Sequence, residues 1–380
     1  MLRTVFCLRG PRAASVLLLW LVVAFTAASQ LRVANAEDAT VPVQRADARP
    51  PLVEPEATGA SIVLDEHLLT DPTRDMDYNG GGEIAWSGMR ALRHVRWLDH
   101  LLDGIDHLSG AASSSGFAPA HALAIGLLVF TPQDLRLREP ERGDRPYASL
   151  FFISVGRRYV SEQATVAYNS SLTLGVLGLA AARGVQDVLH DLTGSIRPEG
   201  WSHQVSAGGE PTARYSLARQ ALLGQFADVG WSRADLKWTL GGSLGTVTEG
   251  SAAVNLRWGR LASPWWAFAP EQTTYVQDPQ PAPPPLPPAA SPEVFALIGA
   301  RVKLRAYDAF LQGQFRHSDL RYSEGEVNPV LEEAWAGVEF RTASGLELRY
   351  IARWQSPELR RGIGSRSILW GSFEVAKSFH

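Results

Sequence analysis

The stretch VFALIGARVKLRAY, residues 294–307, decides the fold. Val294, Ala296, Ile298, Ala300, Val302 and Leu304 share one parity, while Arg301, Lys303 and Arg305 share the other. A period of two is that of a strand whose two faces meet different media. The same split recurs along the chain. In GLELRYIARWQ (345–355), Leu346, Leu348, Tyr350, Ala352 and Trp354 oppose Glu347, Arg349 and Arg353, with Ile351 the one exception. In LKWTLGGSL (236–244), Leu236, Trp238, Leu240 and Leu244 fall together with Gly242, and in AVNLRWG (253–259) Val254, Leu256 and Trp258 oppose Asn255 and Arg257. EEAWAGVEF (332–340) sets Ala334, Ala336, Val338 and Phe340 against Trp335 and Glu339, and AFLQGQFRH (309–317) sets Leu311 and Phe315 against Gln312, Gln314 and Arg316.

A soluble sandwich also alternates. Three features favour a membrane barrel instead. The candidate strands run about 9 to 14 residues, against about 5 to 6 for most soluble strands, and that length suits a tilted crossing of a bilayer. The polar parity is charged, and the apolar parity carries aromatics near strand ends, as a lipid-facing band with girdles requires. Finally, the N-terminus reads as a secretory signal peptide, and no later apolar run is long enough for a spanning helix. Arg3, Arg9 and Arg12 precede the apolar run SVLLLWLVVAFTA (15–27), and Ala34 and Ala36 give a small-x-small cleavage pattern after Ala36. An exported chain without spanning helices can cross a bilayer only as a closed barrel. The expected organisation is a signal peptide over 1–36, a disordered Pro-, Ala- and charge-rich leader over 37–59, and an all-β, transmembrane antiparallel β-barrel over 60–380.

Strand candidates lie near 60–66, 80–88, 120–130, 148–159, 163–176, 212–226, 234–245, 249–260, 294–307, 309–321, 331–343, 345–356 and 367–379. That is one too many for the even number of bacterial barrels, and twelve is the expected count. SFEVAKSFH (372–380) places Phe373, Val375 and Phe379 on one face, in the manner of a closing strand.

Charge and cysteine narrow the function. The chain has 36 basic and 39 acidic residues, and loss of Arg3, Arg9, Arg12 and Arg32 leaves 32 against 39. A net negative chain is a poor partner for nucleic acid. Its single cysteine, Cys7, lies ahead of the apolar run, so the mature chain can form neither a disulfide scaffold nor a thiolate metal site.

Three segments break the strand series. ALRHVRWLDHLLDGIDHL (91–108) has Val95, Leu98, Leu102 and Ile105 at helical spacing and reads as a surface helix in a long loop. Its His100, Asp103 and His107 share a face, which reads as solvated rather than as a metal site. QDPQPAPPPLPPAASPE (277–293) can be neither helix nor strand. RGVQDVLHDLTGSIRPEGWSHQV (183–205) carries a helical stripe of Val185, Val188, Leu189 and Leu192, with Gln186 and His190 one turn apart on another side. Gly194 and Pro198 end that helix.

The residues from Gly175 to Gln204 resemble the outer-membrane lipid A 3′-O-deacylase family, LpxR, in which a Gln-x-x-x-His follows a Gly-rich strand end and precedes a Trp-x-x-Gln. Gln186, His190, Trp201 and Gln204 match. RGDRPYAS (142–149) resembles the family's Asp-Arg-Pro-Tyr-Ala element, and DMDYNGG (75–81) its Asp-x-x-Tyr-Thr-x-Gly element. The motifs occur in the family's order over residues 60 to 205. The resemblance implies a twelve-stranded barrel, with a short active-site helix and extended loops, that removes the 3′-linked acyloxyacyl chain of lipid A in the outer leaflet of the bacterial outer membrane with a calcium ion. His190 would be the base that activates water, Gln186 would orient substrate or ring, and Asn79 stands where the family carries a Thr. Asp65 and Glu66 fall where the family has an Asn-Asp pair and would be oxygen ligands for calcium. Ile196 lies near a metal-site Glu of the family, with Glu199 three residues on. Arg136 and Arg138 lie near its substrate-binding Lys, and an Arg can grip a lipid A phosphate in bidentate fashion. A monomer embedded in the membrane is expected, with lipopolysaccharide as its partner.

The residues themselves agree with that chemistry. A neutral imidazole can act as a base near pH 7, and a hard cation can polarise an ester carbonyl. The Gly-x-Ser-x-Gly match at Gly241–Gly245 continues a period-2 strand stretch and is not placed at a strand-to-helix elbow, so activated water is the simpler nucleophile. Asp144 and Arg145 read as structural, and the Arg301, Lys303 and Arg305 triplet as lumen lining. Two rival readings come from other classes: a catalytically silent barrel with a structural or lipid-binding role, and a pore.

Overall fold

The computed structural model describes residues 53–66, 76–112, 117–186, 198–227, 232–273, 275, 278–286 and 292–379. The signal peptide and most of the leader lie outside the described residues. Twelve antiparallel strands close into a barrel in sequence order: β1 (Gly59–Glu66), β2 (Asp77–Ser87), β3 (Ala120–Thr131), β4 (Ala148–Val160), β5 (Val166–Leu177), β6 (Glu210–Ala227), β7 (Arg233–Gly245), β8 (Val247–Arg260), β9 (Glu293–Asp308), β10 (Val330–Arg341), β11 (Leu346–Gln355) and β12 (Ile368–Ser378). Closure is made by β1 on β12, from Gly59 opposite Ser378 to Glu66 opposite Gly371. Residues 53–58, within the expected leader, run along the rim: the Glu54 carboxylate accepts from the His121 backbone N–H at 2.6 Å and lies 2.6 Å from His121 Nδ1.

The thirteenth strand candidate, 309–321, is not a strand. Asp308 caps a helical turn, α2 (Ala309–Gln312), by accepting from the Phe310 N–H at 2.9 Å, and Gly313 at φ 69° ends it. The turn exists because Phe310 is drawn inward, onto Phe130 at 4.8 Å between ring centroids. Burial of one aromatic overrides the two-residue rhythm of Leu311 and Phe315.

Alternation sorts the other strands as expected. Ile62, Leu64, Ile125, Leu240, Ile298 and Val338 face outward and are exposed, whereas Arg301, Lys303, Arg305, Glu333, Glu339 and Arg353 face inward and are buried. The inner charges are mutually paired. Glu333 meets Arg301 at 2.5 Å, Lys303 at 3.1 Å and Arg353 at 3.1 Å, and Arg305 meets Glu249, Asp308 and Glu358, each at 2.8 Å. Buried cations without such partners would carry a desolvation cost of several kcal/mol each, on the order given by idealised transfer.

The lumen is filled. The connection between β8 and β9, which includes the Pro-rich stretch, folds up inside the barrel. Glu271 accepts from Thr239 at 2.6 Å and Asn255 at 2.8 Å, Asp278 accepts from Ser171 at 2.5 Å, and the carbonyls of Pro270, Pro281 and Pro284 accept from Arg353, Arg158 and Arg341. Proline suits this role because a segment without a regular ladder must leave its carbonyls free for wall donors. Above it Tyr275 joins Tyr78, Phe130 and Trp370 in an aromatic cluster, 4.4, 5.1 and 5.8 Å between centroids.

The connection from β2 to β3 holds α1 (Arg96–Ser109). It does not project from the barrel but lies on its outer wall, where Leu98 and Leu102 pack against Val155 and Leu172. Gly110 at φ 79° ends the helix.

Candidate active site on the outer wall

Both termini of the barrel lie at one end, and the opposite rim carries, among the described residues, 132–147, 178–186, 198–209, 309–329 and 356–367. The described candidate residues Asp65, Glu66, Asn79, Gln186, Arg136 and Arg138 lie at this opposite rim. Asp65 and Glu66 are consecutive in β1, so their side chains leave the wall on opposite sides. Asp65 is buried on the lumen side, accepting from Tyr78 Oη at 3.0 Å and from Ser372 Oγ. Glu66 continues the outward parity of Ile62 and Leu64. Asp65 braces β1 against β2 and β12, and Glu66 faces outward.

Asn79 reaches the outward face by a bulge. Tyr78 pairs with Phe130 and Gly80 with Val129, which leaves Asn79 as the extra residue of β2. A bulge of this kind re-aims a side chain without moving the rest of the strand. Tyr78 stays in the lumenal aromatic cluster, while Asn79 Nδ2 donates to Thr131 Oγ1 at 3.3 Å. The Gly80 backbone, at φ 153°, passes so close to β1 that a Cβ there would stand 2.6 Å from the Asp65 carbonyl and 2.9 Å from Glu66 Oε2.

Residues 178–186 and 198–209 fold over the same face. Residues 181–186 are helical. Gln186 is buried and its amide oxygen accepts from Trp201 Nε1 at 2.9 Å. Trp201 packs at a tilt against Tyr147, 4.9 Å between ring centroids, and sits with Leu135 and Ala182 against the outward side chains of Leu127, Val129 and Phe151. Val129 is the strand partner of Gly80, so the Gln186–Trp201 pair rests about one strand spacing from the bulge. Gln204 accepts from Ser149 Oγ at 2.8 Å, and the Val205 N–H donates to the Tyr147 carbonyl at 2.8 Å. The Trp-x-x-Gln element and the Asp-Arg-Pro-Tyr-Ala element are thus two halves of one clamp on the wall. His190 and Ile196 lie outside the described residues.

Behind the clamp Asp77, held at φ 70°, takes a fork from Arg366 at 2.8 and 2.9 Å, and Arg366 also reaches Asp144 at 2.9 Å. Burial works against the Arg366 charge, yet Asp77 and Asp144 more than offset it and raise its pKa above the usual arginine value. Asp144 also accepts from the Gln133 N–H at 2.6 Å. Arg145 is buried at the lumen mouth, pairing with Glu358 and lying 4.1 Å over the Phe130 ring. Burial lowers its pKa from the ordinary value. The Arg145 N–H donates to the Asp144 carboxylate at 2.8 Å, while the two side-chain charges pair with distant partners, Arg366 and Glu358, and not with each other.

Arg136 and Arg138 both lie exposed on residues 132–147. Arg138 is paired to Glu199 at 2.6 Å, which raises its pKa, so Glu199 serves as an arginine partner in this arrangement. Sequence reasoning did not single out Thr131, Asp77 or Arg366 as members of this rim. Asp77 stood inside a quoted motif, but Thr131 and Arg366 join only through pairing between distant strands and loops.

The sequence profile described as Outer membrane protein LpxR matches residues 17–379. The chain belongs to the LpxR family. Among solved structures it is similar to LpxR from Salmonella typhimurium, with TM-score 0.64 and 12% identity over 84% of this chain and 100% of that one. The β domain of the Bordetella autotransporter BrkA has TM-score 0.40 and 11% identity over 86% of this chain and 100% of that one, and the KdgM porin 0.34 and 6% over 85% and 99%. No curated protein matches the chain in sequence. As an LpxR-family chain it is an outer-membrane barrel, and outer-membrane barrels keep short turns at the periplasmic end and longer loops outside. Two described connections at the end with the termini, 161–165 and 342–345, are such short turns. The rim with Asn79, Glu66 and Gln186 is accordingly the extracellular one.

Proposed function

We propose that the chain hydrolyses the 3′-linked acyloxyacyl ester of lipid A in the outer leaflet, with His190 as general base. The observation that carries this reading is the outward aim of the bulged Asn79, beside Glu66 and under the Gln186–Trp201 pair. A site on the lipid side of the wall suits a substrate anchored in the leaflet, and a filled lumen offers such a substrate no entrance. In the reaction His190 takes a proton from water, and the resulting hydroxide adds to the ester carbonyl. The carbon–oxygen bond to the sugar then breaks, and His190 returns the proton to the departing 3′ oxygen. Gln186 positions the base side of the site through a helix pinned by Trp201.

Among the described residues no group of three or more His, Cys, Asp or Glu is placed to hold a metal. The outward rim nevertheless offers oxygen donors of the type calcium prefers: the Glu66 carboxylate, the Asn79 amide and the Thr131 hydroxyl. One carboxylate makes a weakly charged site, so we propose calcium binding at the weak end, on the order of 10⁻⁴ to 10⁻³ M. Bound there, the cation would stabilise the negative charge that develops on the ester oxygen. Arg136 is the exposed candidate for a lipid A phosphate, since Arg138 is engaged by Glu199.

Mass spectrometry of lipid A from cells carrying the chain should show loss of the 3′ acyloxyacyl group, and cells carrying His190→Ala should retain it. Activity should fall with chelation and recover with millimolar calcium. An imidazole base must be neutral, so the rate should decline as pH drops below about 6.5. Unaltered lipid A in both strains with calcium present would leave the silent barrel as the correct reading.

A further inference from the structure

The helix on the wall separates its charges in an unusual way. From Met89 to Ser109 every acid turns toward the barrel: Asp99 pairs with Arg157 at 2.7 Å, Asp103 pairs with the same Arg157, and Asp106 accepts from Tyr159 at 2.9 Å, Ser170 at 2.6 Å and Tyr215 at 3.0 Å. The exposed side carries only basic groups and imidazoles among its ionisable residues, namely Arg90, Arg93, Arg96, His94, His100 and His107. Around the helix these groups do not mix with the exposed apolar residues. Trp97, Leu101 and Leu108 follow at intervals of four and seven, one stripe at 100° per residue, whereas Arg96, His100 and His107 form the stripe beside it. Leu108 is 90% exposed and Trp97 59%.

One edge of α1 is thus apolar and the other basic, and the helix enters from the periplasmic end, just beyond β2. Its buried face, Leu98 and Leu102, is seated on the wall with Leu123 and Ile153, which leaves the edge of Trp97, Leu101 and Leu108 exposed beside the outward band of the barrel. That is the build of a helix lying at a membrane interface. We propose that α1, with the turn before it, is a binding surface for anionic phospholipid headgroups of the periplasmic leaflet. The acyl chains cover Trp97, Leu101 and Leu108, and the headgroup phosphates meet Arg90, Arg93 and Arg96. The wall-facing acids, already satisfied by Arg157 and the three hydroxyls, do not repel the lipid. This surface lies toward the opposite leaflet from the proposed ester site and stands independently of that activity.

The test uses the full chain with Cys7→Ser, reconstituted in phosphatidylcholine vesicles and labelled with a fluorophore at Leu101→Cys. Leu240→Cys, on the bare wall, serves as the lipid-facing control. Lipids brominated in their acyl chains should quench the label at 101 as well as at 240. A small share of brominated phosphatidylglycerol should quench position 101 about two-fold more than the same share of brominated phosphatidylcholine, with no such preference at 240. Arg90→Gln, Arg93→Gln and Arg96→Gln together should return that ratio to one while leaving quenching by phosphatidylcholine in place. A label at 101 that brominated lipid does not quench would overturn the proposal, and so would equal quenching by the two headgroups in the unmutated helix.

Discussion

Gly80 has no room for a side chain, because its missing Cβ points at the Asp65 carbonyl and the Glu66 carboxylate. Gly80→Ala must push Glu66 aside and hold alanine at a positive φ, a strain of about 1–3 kcal/mol. The barrel should still close, since the other pairings of β1 and β2 are untouched. Deacylation should drop about 10- to 100-fold, with a higher calcium requirement, measured by lipid A mass spectrometry against added calcium. Gln186 makes a different prediction. Gln186→Leu strips the acceptor from the buried Trp201 Nε1 and should cost about 1–3 kcal/mol in the folding of the overlying loop, read as faster proteolysis within residues 178–209. At this scale the sequence conveyed residue types and motif order, but not which face each occupies. Motif position alone pairs Asp65 with Glu66, whereas the alternation of the strand that carries them sends their side chains to opposite faces.

At the scale of elements, β2 shows how one inserted residue makes a site. Without Asn79 the ladder would run regularly, with Tyr78 still inward and Gly80 still outward. Deleting Asn79 should therefore give a folded barrel, judged by retained resistance to denaturation in detergent, that has lost activity. Helix α1 is a second case. Leu102 is fully buried against Val155 and Leu172, and Leu102→Ala should cost about 2–4 kcal/mol. The loss should fall on the helix, which opens to protease before the barrel melts, because local units open below the global stability. The helical period of this segment was plain in the sequence. Its seat was not, since Arg157 and Tyr215 lie 58 and 109 residues from the acids they meet.

For the whole molecule the decisive feature is what fills the barrel. Residues of the β8–β9 connection touch β2, β4, β5, β7, β8, β10 and β11 from within, and Tyr275 closes the space beneath the extracellular rim. A pore is incompatible with that packing. Planar bilayers containing the chain should show no steady conductance, and removal of residues 262–285 should open discrete channels. The paired charges of the wall also set a limit on repair by substitution. Glu333→Ala would remove the carboxylate that Arg301, Lys303 and Arg353 share, and breaking a buried pair in this way should cost about 3–5 kcal/mol.

The sequence by itself determined that this chain is a barrel of twelve strands, and it located most strand ends within three residues, as with β4, expected over 148–159 and found over Ala148–Val160. It could do so because alternation is local: each residue's parity reports the medium it meets. It also carried the family, through motifs whose order and spacing are written in the chain. Only the tertiary structure decided that the Pro-rich connection turns into the lumen, that α1 lies against the wall, and that a bulge turns Asn79 outward. Each of these depends on partners brought together by closure of the barrel, such as Arg158 with the Pro281 carbonyl across 123 residues, and no local pattern encodes which distant donor a free carbonyl will find.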